Sequence, residues 1–563
     1  MPQEDSGKIL IQQRESWSTK IGVILAVAGS AVGLGNFLRF PGIAVQNGGG
    51  AFMIPYFLAF ILLGVPICWA EWIMGRRAGR LSGLSSAPGL FGVLTKGGPL
   101  RYFGALGLFI PVVIYTYYVY VESWCLAYTW FSLSGALQLE GQDSYANFFA
   151  QYTGDGKGEF FNTIHISFGF FLATFAANFY LIYRGLSKGI ERFCRIAMPA
   201  LIIMAFFIVI RVITLGTPDP SHPEQNLING LGYMWNPDWS QLQRPEVWIN
   251  ACGQIFFSLS VGFGIIVTYA SYLNKKDDVV LSGLSASSTN LFCEVCLGGL
   301  IIIPAALIFL GITQMESVAE AGTFGLGFVV MPRIFEMMPL GQLVATCFYF
   351  LLFLAGITSS LSMLQPAIAF FEEGFGLNRK QSVALLGVLT FTGACAIIFS
   401  PGLTAMDTVD SYTSNIGIPL LALFEVFIFI FILKVHKGFK EADYGADMRI
   451  PRFFGFIITY ITPLFLFAIL GWWFFVQFKM WLNPEGMLGG LLIQIAPGFH
   501  AFLVQTLNPD WTEWSAITNI QLQSLIYMVI FFFVLVLLQY VAWPRMKRHY
   551  HAYRKALPPE ETD

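Results

Sequence analysis

The chain predicts an all-α polytopic membrane protein of about 12 transmembrane helices, and three observations carry that expectation. Of its 563 residues 56% are hydrophobic and only 12% charged, with a mean hydropathy of +0.64; a soluble domain carries about 25% charged residues. Mostly apolar stretches long enough to cross a bilayer as helices recur near 20–45, 50–75, 100–132, 163–183, 193–215, 246–273, 280–312, 341–371, 381–399, 409–435, 453–478 and 517–543. The first and sixth of these are interrupted by glycine pairs, Gly33 with Gly35 and Gly262 with Gly264. In hydrocarbon every backbone N–H and C=O needs a partner, so a helix broken at mid-membrane is tolerated where the freed groups line a cavity or hold a ligand. Corresponding interruptions in two halves of a chain point to the binding site of a secondary transporter.

The charge pattern orients the spans. Arg76, Arg77 and Arg80, then Arg184, Lys188 and Arg192, then Lys275 and Lys276, then Lys434, Lys437 and Lys440 are expected in alternate loops, which the positive-inside rule makes cytoplasmic. Glu140, Asp143, Asp155, Asp219 and Glu224 fall in the opposite set. An even number of spans puts both termini inside, in agreement with the basic run from Arg545 to Lys555. The eight cysteines lie within or beside apolar segments and read as packing residues. Residues 1–20 lack the apolar core of a cleavable signal. The absence of any Asn-x-Ser/Thr sequon is compatible with a bacterial inner membrane. No Walker-type loop is present, so ATP is not the expected energy source, and Gly33 and Gly35 lack the third glycine of a dinucleotide site. Neither an enzyme nor a nucleic-acid partner is expected.

Ionisable residues at membrane depth are costly and default to function. Arg39, Glu71, Glu122, Glu294, Asp410 and Glu425 are the candidates, with Glu71, Glu122 and Glu425 read as braces between packed helices. Arg39 follows the first break and needs an acid, for which Asp407 and Asp410 are both available. Neutral oxygens on Asn36, Ser258, Ser260, Asn290, Thr358, Ser359 and Ser360 suit a hard monovalent cation, with carbonyls freed at the breaks completing its shell.

Several motifs resemble those of neurotransmitter:sodium symporters, most closely the bacterial amino-acid branch typified by the leucine transporter LeuT. They are Gly-Asn-Phe-Leu-Arg-Phe-Pro at 35–41, Asn-Gly-Gly-Gly-Ala-Phe at 47–52, Tyr-Tyr-Val-Tyr-Val-Glu-Ser-Trp at 117–124, Gln-Ile-Phe-Phe-Ser-Leu-Ser-Val-Gly-Phe-Gly at 254–264, Leu-Ser-Gly-Leu at 281–284 and Ala-Gly-Ile-Thr-Ser-Ser at 355–360. The resemblance implies a LeuT-like 5+5 inverted repeat with broken helices 1 and 6. Its parts would be a cytoplasmic segment 1–19, repeats at 20–215 and 246–436, peripheral helices within 453–543 and a tail 544–563. It implies one sodium held by the Ala31 carbonyl, Asn36, Ser258, Asn290 and the substrate carboxylate, and a second by the carbonyls of Gly29, Val32 and Ala355 with the hydroxyls of Thr358 and Ser359. The substrate carboxylate would meet the amides of Leu34 and Gly35 and the Tyr118 hydroxyl; its ammonium would meet the carbonyls of Ala31, Phe257 and Ser258 and the Ser260 hydroxyl. Ile114, Tyr118, Phe257, Phe263, Ser359 and Met363 would face the side chain.

The same resemblance implies an outer gate of Arg39 with an acid, spacing favouring Asp410, and an inner gate of Arg14 with Glu373, flanked by Trp17 and Tyr272. Glu373 is longer than the family's aspartate. Glu294, within reach of Gln254, stands where chloride-dependent relatives carry serine, so no chloride requirement is expected and Glu294 could carry a proton on the return step. Gly33 stands where amine transporters carry an aspartate, which makes the expected substrate a small to medium neutral amino acid bringing its own carboxylate. The expected function is sodium-coupled amino-acid symport in a bacterial inner membrane, with a homodimer compatible with it. The alternative is a transport-inactive amino-acid-binding receptor or sensor. Residues 483–510 form an expanded outer loop, read as a packing insertion.

Overall fold

A computed structural model describes residues 17, 19–139, 141–154, 165–315, 322–400, 403–482 and 519–558. Arg14 and the loop 483–510 lie outside the described residues. The long helices are α1 (Lys20–Ala31), α2 (Gly35–Gln46), α3 (Gly50–Ser82), α4 (Ala87–Leu94), α5 (Pro99–Ser134), α6 (Ile166–Tyr183), α7 (Leu186–Ile213) and α8 (Pro245–Leu259). They continue with α9 (Ile265–Ser271), α10 (Val279–Leu310), α11 (Gly341–Phe375), α12 (Arg379–Ile398), α13 (Thr404–Leu433), α14 (Val435–Ala442), α15 (Phe453–Val476) and α16 (Asn519–Ala556). Among the described residues ten helices are long and apolar enough to cross a membrane, and α1 with α2, bent by 46° at their break, make an eleventh. The pair α8 and α9 occupies the sixth expected span, each half too short to cross by itself.

Local chemistry explains where helices start. Thr19 caps α1 by accepting from the Gly22 amide at 2.9 Å. Asp278 accepts from the amides of Val280 and Leu281, both at 2.9 Å, to open α10, and Asn378 with Gln381 forms a reciprocal capping box on α12. These side chains satisfy amides that a helix's first turn leaves without partners.

The most apolar stretch of α5 is 94% buried, against 28% for α6 and 17% for α16, so α5 is an axial helix and α6 and α16 lie at the periphery of the bundle. α5 and α11 form the most extensive helix pair, followed by α3 with α9. Three expectations are corrected. Arg76, Arg77 and Arg80 lie not in a loop but in the last turns of α3, where backbone carbonyls and Glu441 receive them. Lys188 and Arg192 are likewise helical, within α7, and Lys437 and Lys440 lie on α14.

Candidate substrate and ion site

The two breaks face each other at the centre of the bundle. Val32 leaves the helical conformation with ψ at 98°, which frees the next amides. The Gly33 amide donates to Asn36 Oδ1 at 2.8 Å and the Leu34 amide to the Tyr118 hydroxyl at 3.1 Å. On the other side Ser260, Gly262 and Gly264 take φ of +55°, +72° and +76°, the left-handed region where glycine is unstrained. A Cβ on Gly264 would stand 2.7 Å from the Gly107 Cα, so α9 also needs glycine there to approach α5. Ser260 Oγ donates to the Ser30 carbonyl at 3.2 Å, joining the two breaks, and the Gly262 amide donates to Glu71 Oε1 at 2.6 Å.

Beside α2 lies a fully buried polar network. Asn36 Nδ2 donates to Asn290 Oδ1 at 2.7 Å, Asn290 Nδ2 to Ser258 Oγ at 2.5 Å, and Ser258 Oγ to Glu294 Oε2 at 2.6 Å. Tyr56 Oη also donates to Glu294 Oε2, at 2.6 Å, and Gln254 Nε2 donates to Glu294 Oε1. Close approach is possible because α10 carries Gly298 against Asn36, where a Cβ would stand 3.0 Å from the Asn36 carbonyl carbon. One carboxyl set among neutral oxygens at this depth is costly to keep unless a cation or a proton compensates it.

A second cluster lies between α1 and α11. Ser359 Oγ donates to the carbonyls of Gly29 at 3.3 Å and Ser30 at 3.1 Å. Thr358 Oγ1 bonds within its own helix to Leu354 and Ala355. A Cβ on Gly29 would stand 3.3 Å from the Thr358 Cβ, so the two backbones are close here. Gly29, Val32, Ala355, Thr358 and Ser359 are all buried, and Gly29 meets Thr358 and Ser359 at this junction.

Towards the end expected to face outward, a cavity of about 70 Å³ is lined by Leu34, Gly35, Arg39, Tyr118, Phe257 and Asp410, among others. The Arg39 guanidinium lies over the Phe257 ring at 4.4 Å. Asp410 accepts from the hydroxyls of Tyr117 at 2.5 Å and Ser414 at 2.8 Å. Among the described residues no acid lies within ion-pairing distance of Arg39, so the expected Arg39–Asp410 pair is not formed, although both line one cavity; Asp407 does not. Ile114, Phe263 and Met363 are buried, but none lines this cavity.

At the opposite end Glu373 accepts from the Ser85 amide at 2.5 Å and the Ser86 hydroxyl at 2.6 Å, at the start of α4. Trp17 and Tyr272, expected to flank the inner gate, are both anchored to neighbouring helices. The Trp17 indole donates to the Tyr269 carbonyl at 3.1 Å and meets the Tyr269 ring edge-on at 5.2 Å. Tyr272 accepts from Gln365 at 2.8 Å. Sequence reasoning passed over Tyr56, whose only signal is its position on α3. It read Glu71 as a helix brace, and that acid holds an amide of the second break.

Two broken helices meeting in a buried oxygen-rich centre, with a cavity lined by Arg39 and Asp410 to one side, define a broken-helix secondary transporter. The sodium:neurotransmitter symporter family model matches residues 14–148 and 162–485. A sodium-dependent transporter of Methanocaldococcus jannaschii is 30% identical over 81% of this chain and 90% of its own length. The YhdH sodium-dependent transporter of Bacillus subtilis is 30% identical over 81% and 97%, and the mouse sodium-dependent neutral amino acid transporter B(0)AT3 is 26% identical over 89% and 88%. The crystal structure of MhsT in complex with L-phenylalanine superposes with a TM-score of 0.70 at 30% identity, covering 81% of this chain and 100% of that one. The chain belongs to the sodium:neurotransmitter symporter family. It is a multi-pass membrane symporter of LeuT-like fold, from a family of transporters rather than enzymes.

Proposed function

We propose that the chain couples the sodium gradient to uptake of small to medium neutral amino acids by alternating access across a bacterial inner membrane, with both termini cytoplasmic. The observation that carries this reading is the network Asn36–Asn290–Ser258–Glu294, which gathers neutral oxygens and one buried carboxyl group where both helices break. One sodium would sit among Ala31, Asn36, Ser258 and Asn290, its shell closed by the carboxylate of the amino acid. The second would sit at the junction of Gly29, Val32, Ala355, Thr358 and Ser359. The amides freed at Leu34 and Gly35 suit the substrate carboxylate, as exposed helix N-termini suit anions. The surrounding Ile114, Tyr118, Phe257, Phe263 and Met363 bring no formal charge, so a charged substrate side chain would be left unpaired. Glu294 would replace chloride as the compensating negative charge. Arg39 with Asp410, and Arg14 with Glu373, would close the path at its two ends.

The test is uptake of a labelled amino-acid panel into proteoliposomes under an inward sodium gradient. Alanine, valine, leucine or methionine should accumulate and lose accumulation when potassium replaces sodium at equal ionic strength. Asn36→Ala and Asn290→Ala should weaken sodium and substrate binding together, since linkage is reciprocal. Better competition by glutamate, lysine or a decarboxylated amine than by every neutral aliphatic amino acid would overturn the substrate class. Binding that is saturable but never followed by sodium-driven accumulation would instead favour a receptor.

A further inference from the structure

Glu122 and Asn178 take no part in the sites described above, yet both are fully buried. Glu122 stands one helical turn beyond Tyr118 on α5, a spacing that puts both on the same side of that helix. Its Oε1 accepts from Asn178 Nδ2 of α6 at 2.9 Å, and Asn178 Oδ1 accepts from Ser360 Oγ of α11 at 2.6 Å. Asn178 is itself anchored, donating also to the Thr174 carbonyl at 3.1 Å. The Glu122 side chain fills the space over Gly356, where a Cβ would stand 2.9 Å from its Cγ. Gly356 follows Ala355, and Ser360 follows Ser359. Glu122 and Asn178 therefore hold both ends of the α11 turn whose Ser359 hydroxyl donates to α1 carbonyls and whose Thr358 packs against Gly29 of α1.

We infer that Glu122 and Asn178 are positioning residues for the second sodium site, and that they tie its geometry to the α5 turn that presents Tyr118. The inference rests on the proposed function. A carboxylate at this depth is expensive to keep, and a leucine would pack three helices at least as well. What the acid adds is a directional acceptor that fixes Asn178, which in turn fixes Ser360. Partners behind the first ligands of a metal commonly alter its affinity by about 10–100-fold when removed.

The experiment uses the purified full-length protein and sodium itself as the probe. Thermal stability is followed as sodium chloride replaces potassium chloride at fixed ionic strength, and sodium dependence of uptake is measured in proteoliposomes. Glu122→Leu and Asn178→Leu should raise the half-saturating sodium concentration by about tenfold or more and flatten the sodium curve. Substrate KM at saturating sodium should stay near the parent value. Glu122→Gln, which keeps an acceptor for Asn178, should rescue the sodium curve to within about threefold of the parent, an outcome that loss of packing alone would not give. Should the leucine variants fail to fold, Ser360→Ala removes only the last link of the chain and should shift the sodium curve in the same direction. Unchanged sodium curves in folded Glu122→Leu and Asn178→Leu, or in Ser360→Ala, would overturn the inference. So would damage by Glu122→Gln equal to that of the leucine. A parent protein indifferent to sodium would instead remove the proposed function on which the inference stands.

Discussion

Gly33 has no room for a side chain. A Cβ there would stand 2.6 Å from Ser359 Oγ and 2.8 Å from the Tyr118 hydroxyl, two groups expected to hold ion and substrate. Gly33→Ala should therefore reduce affinity for a labelled neutral amino acid by tenfold or more, an overpacking cost of about 1–3 kcal/mol. Gly33→Asp should abolish binding and not confer recognition of amines; a Gly33→Asp protein that binds an amine would refute the steric reading. Glu294 offers a second measurement. Glu294→Ser leaves Tyr56, Gln254 and Ser258 without their common acceptor, so uptake should become dependent on chloride. An equally active, chloride-indifferent variant would argue against charge replacement. Glu294 was legible in the sequence because an acid inside an apolar run is conspicuous. Tyr56 was not, because one more aromatic among 22 tyrosines and 55 phenylalanines carries no signal, and its partner lies 238 positions away.

At the scale of elements, the breaks were the most legible feature and their consequences the least. Glycine pairs announce that a helix is interrupted, and the structure ends α1 at Ala31 and α8 at Leu259 accordingly. What the glycines do next depends on neighbours the sequence does not name. Gly298 shows this, since it sits inside α10 with no turn to make and serves only the approach of that helix to Asn36. Gly298→Ala should displace the Asn36 backbone and lower sodium affinity, whereas Ala substitution at Gly253, with open space around it, should leave affinity near the parent value. Sodium titration of the two variants compares them directly. The arginines of α3 were misplaced into a loop because charge normally ends an apolar span. Here Arg76 donates to the carbonyls of Asp277 at 2.6 Å and Tyr444 at 3.0 Å, so the helix carries its charge into protein rather than water.

For the molecule as a whole, Glu441 on α14 is the point where distant segments are joined. Arg77 Nη1 lies 2.8 Å from its carboxylate, with Arg80 at 3.4 Å and Arg76 at 3.6 Å, and Glu441 and Arg76 are fully buried. Breaking a buried pair by removing one partner costs about 3–5 kcal/mol, because the remaining charge stays buried. Glu441→Ala should accordingly lower thermal stability more than removal of any surface acid, for example Asp443 beside Arg449, and differential scanning fluorimetry in detergent would show the order. These contacts span about 360 positions of sequence, which is why hydropathy gives the membrane-length helices while leaving the ties between their ends unread.

The 35-residue helix α11 has a mechanical consequence of its own. It runs unbroken from Gly341 to Phe375 through Pro366, at about 1.5 Å of rise per residue. Ser359 and Glu373 are therefore held on one continuous helix, about 21 Å apart, with Pro366 between them. Such a helix acts as a ruler: it cannot shorten, so under the alternating access proposed above the shorter pieces α1, α2, α8 and α9, which end at the breaks, are the ones expected to turn against it. Paired spin labels at the two ends of α11 should report one distance with and without sodium. A label on α1 paired with one on α11 should report a distance that changes.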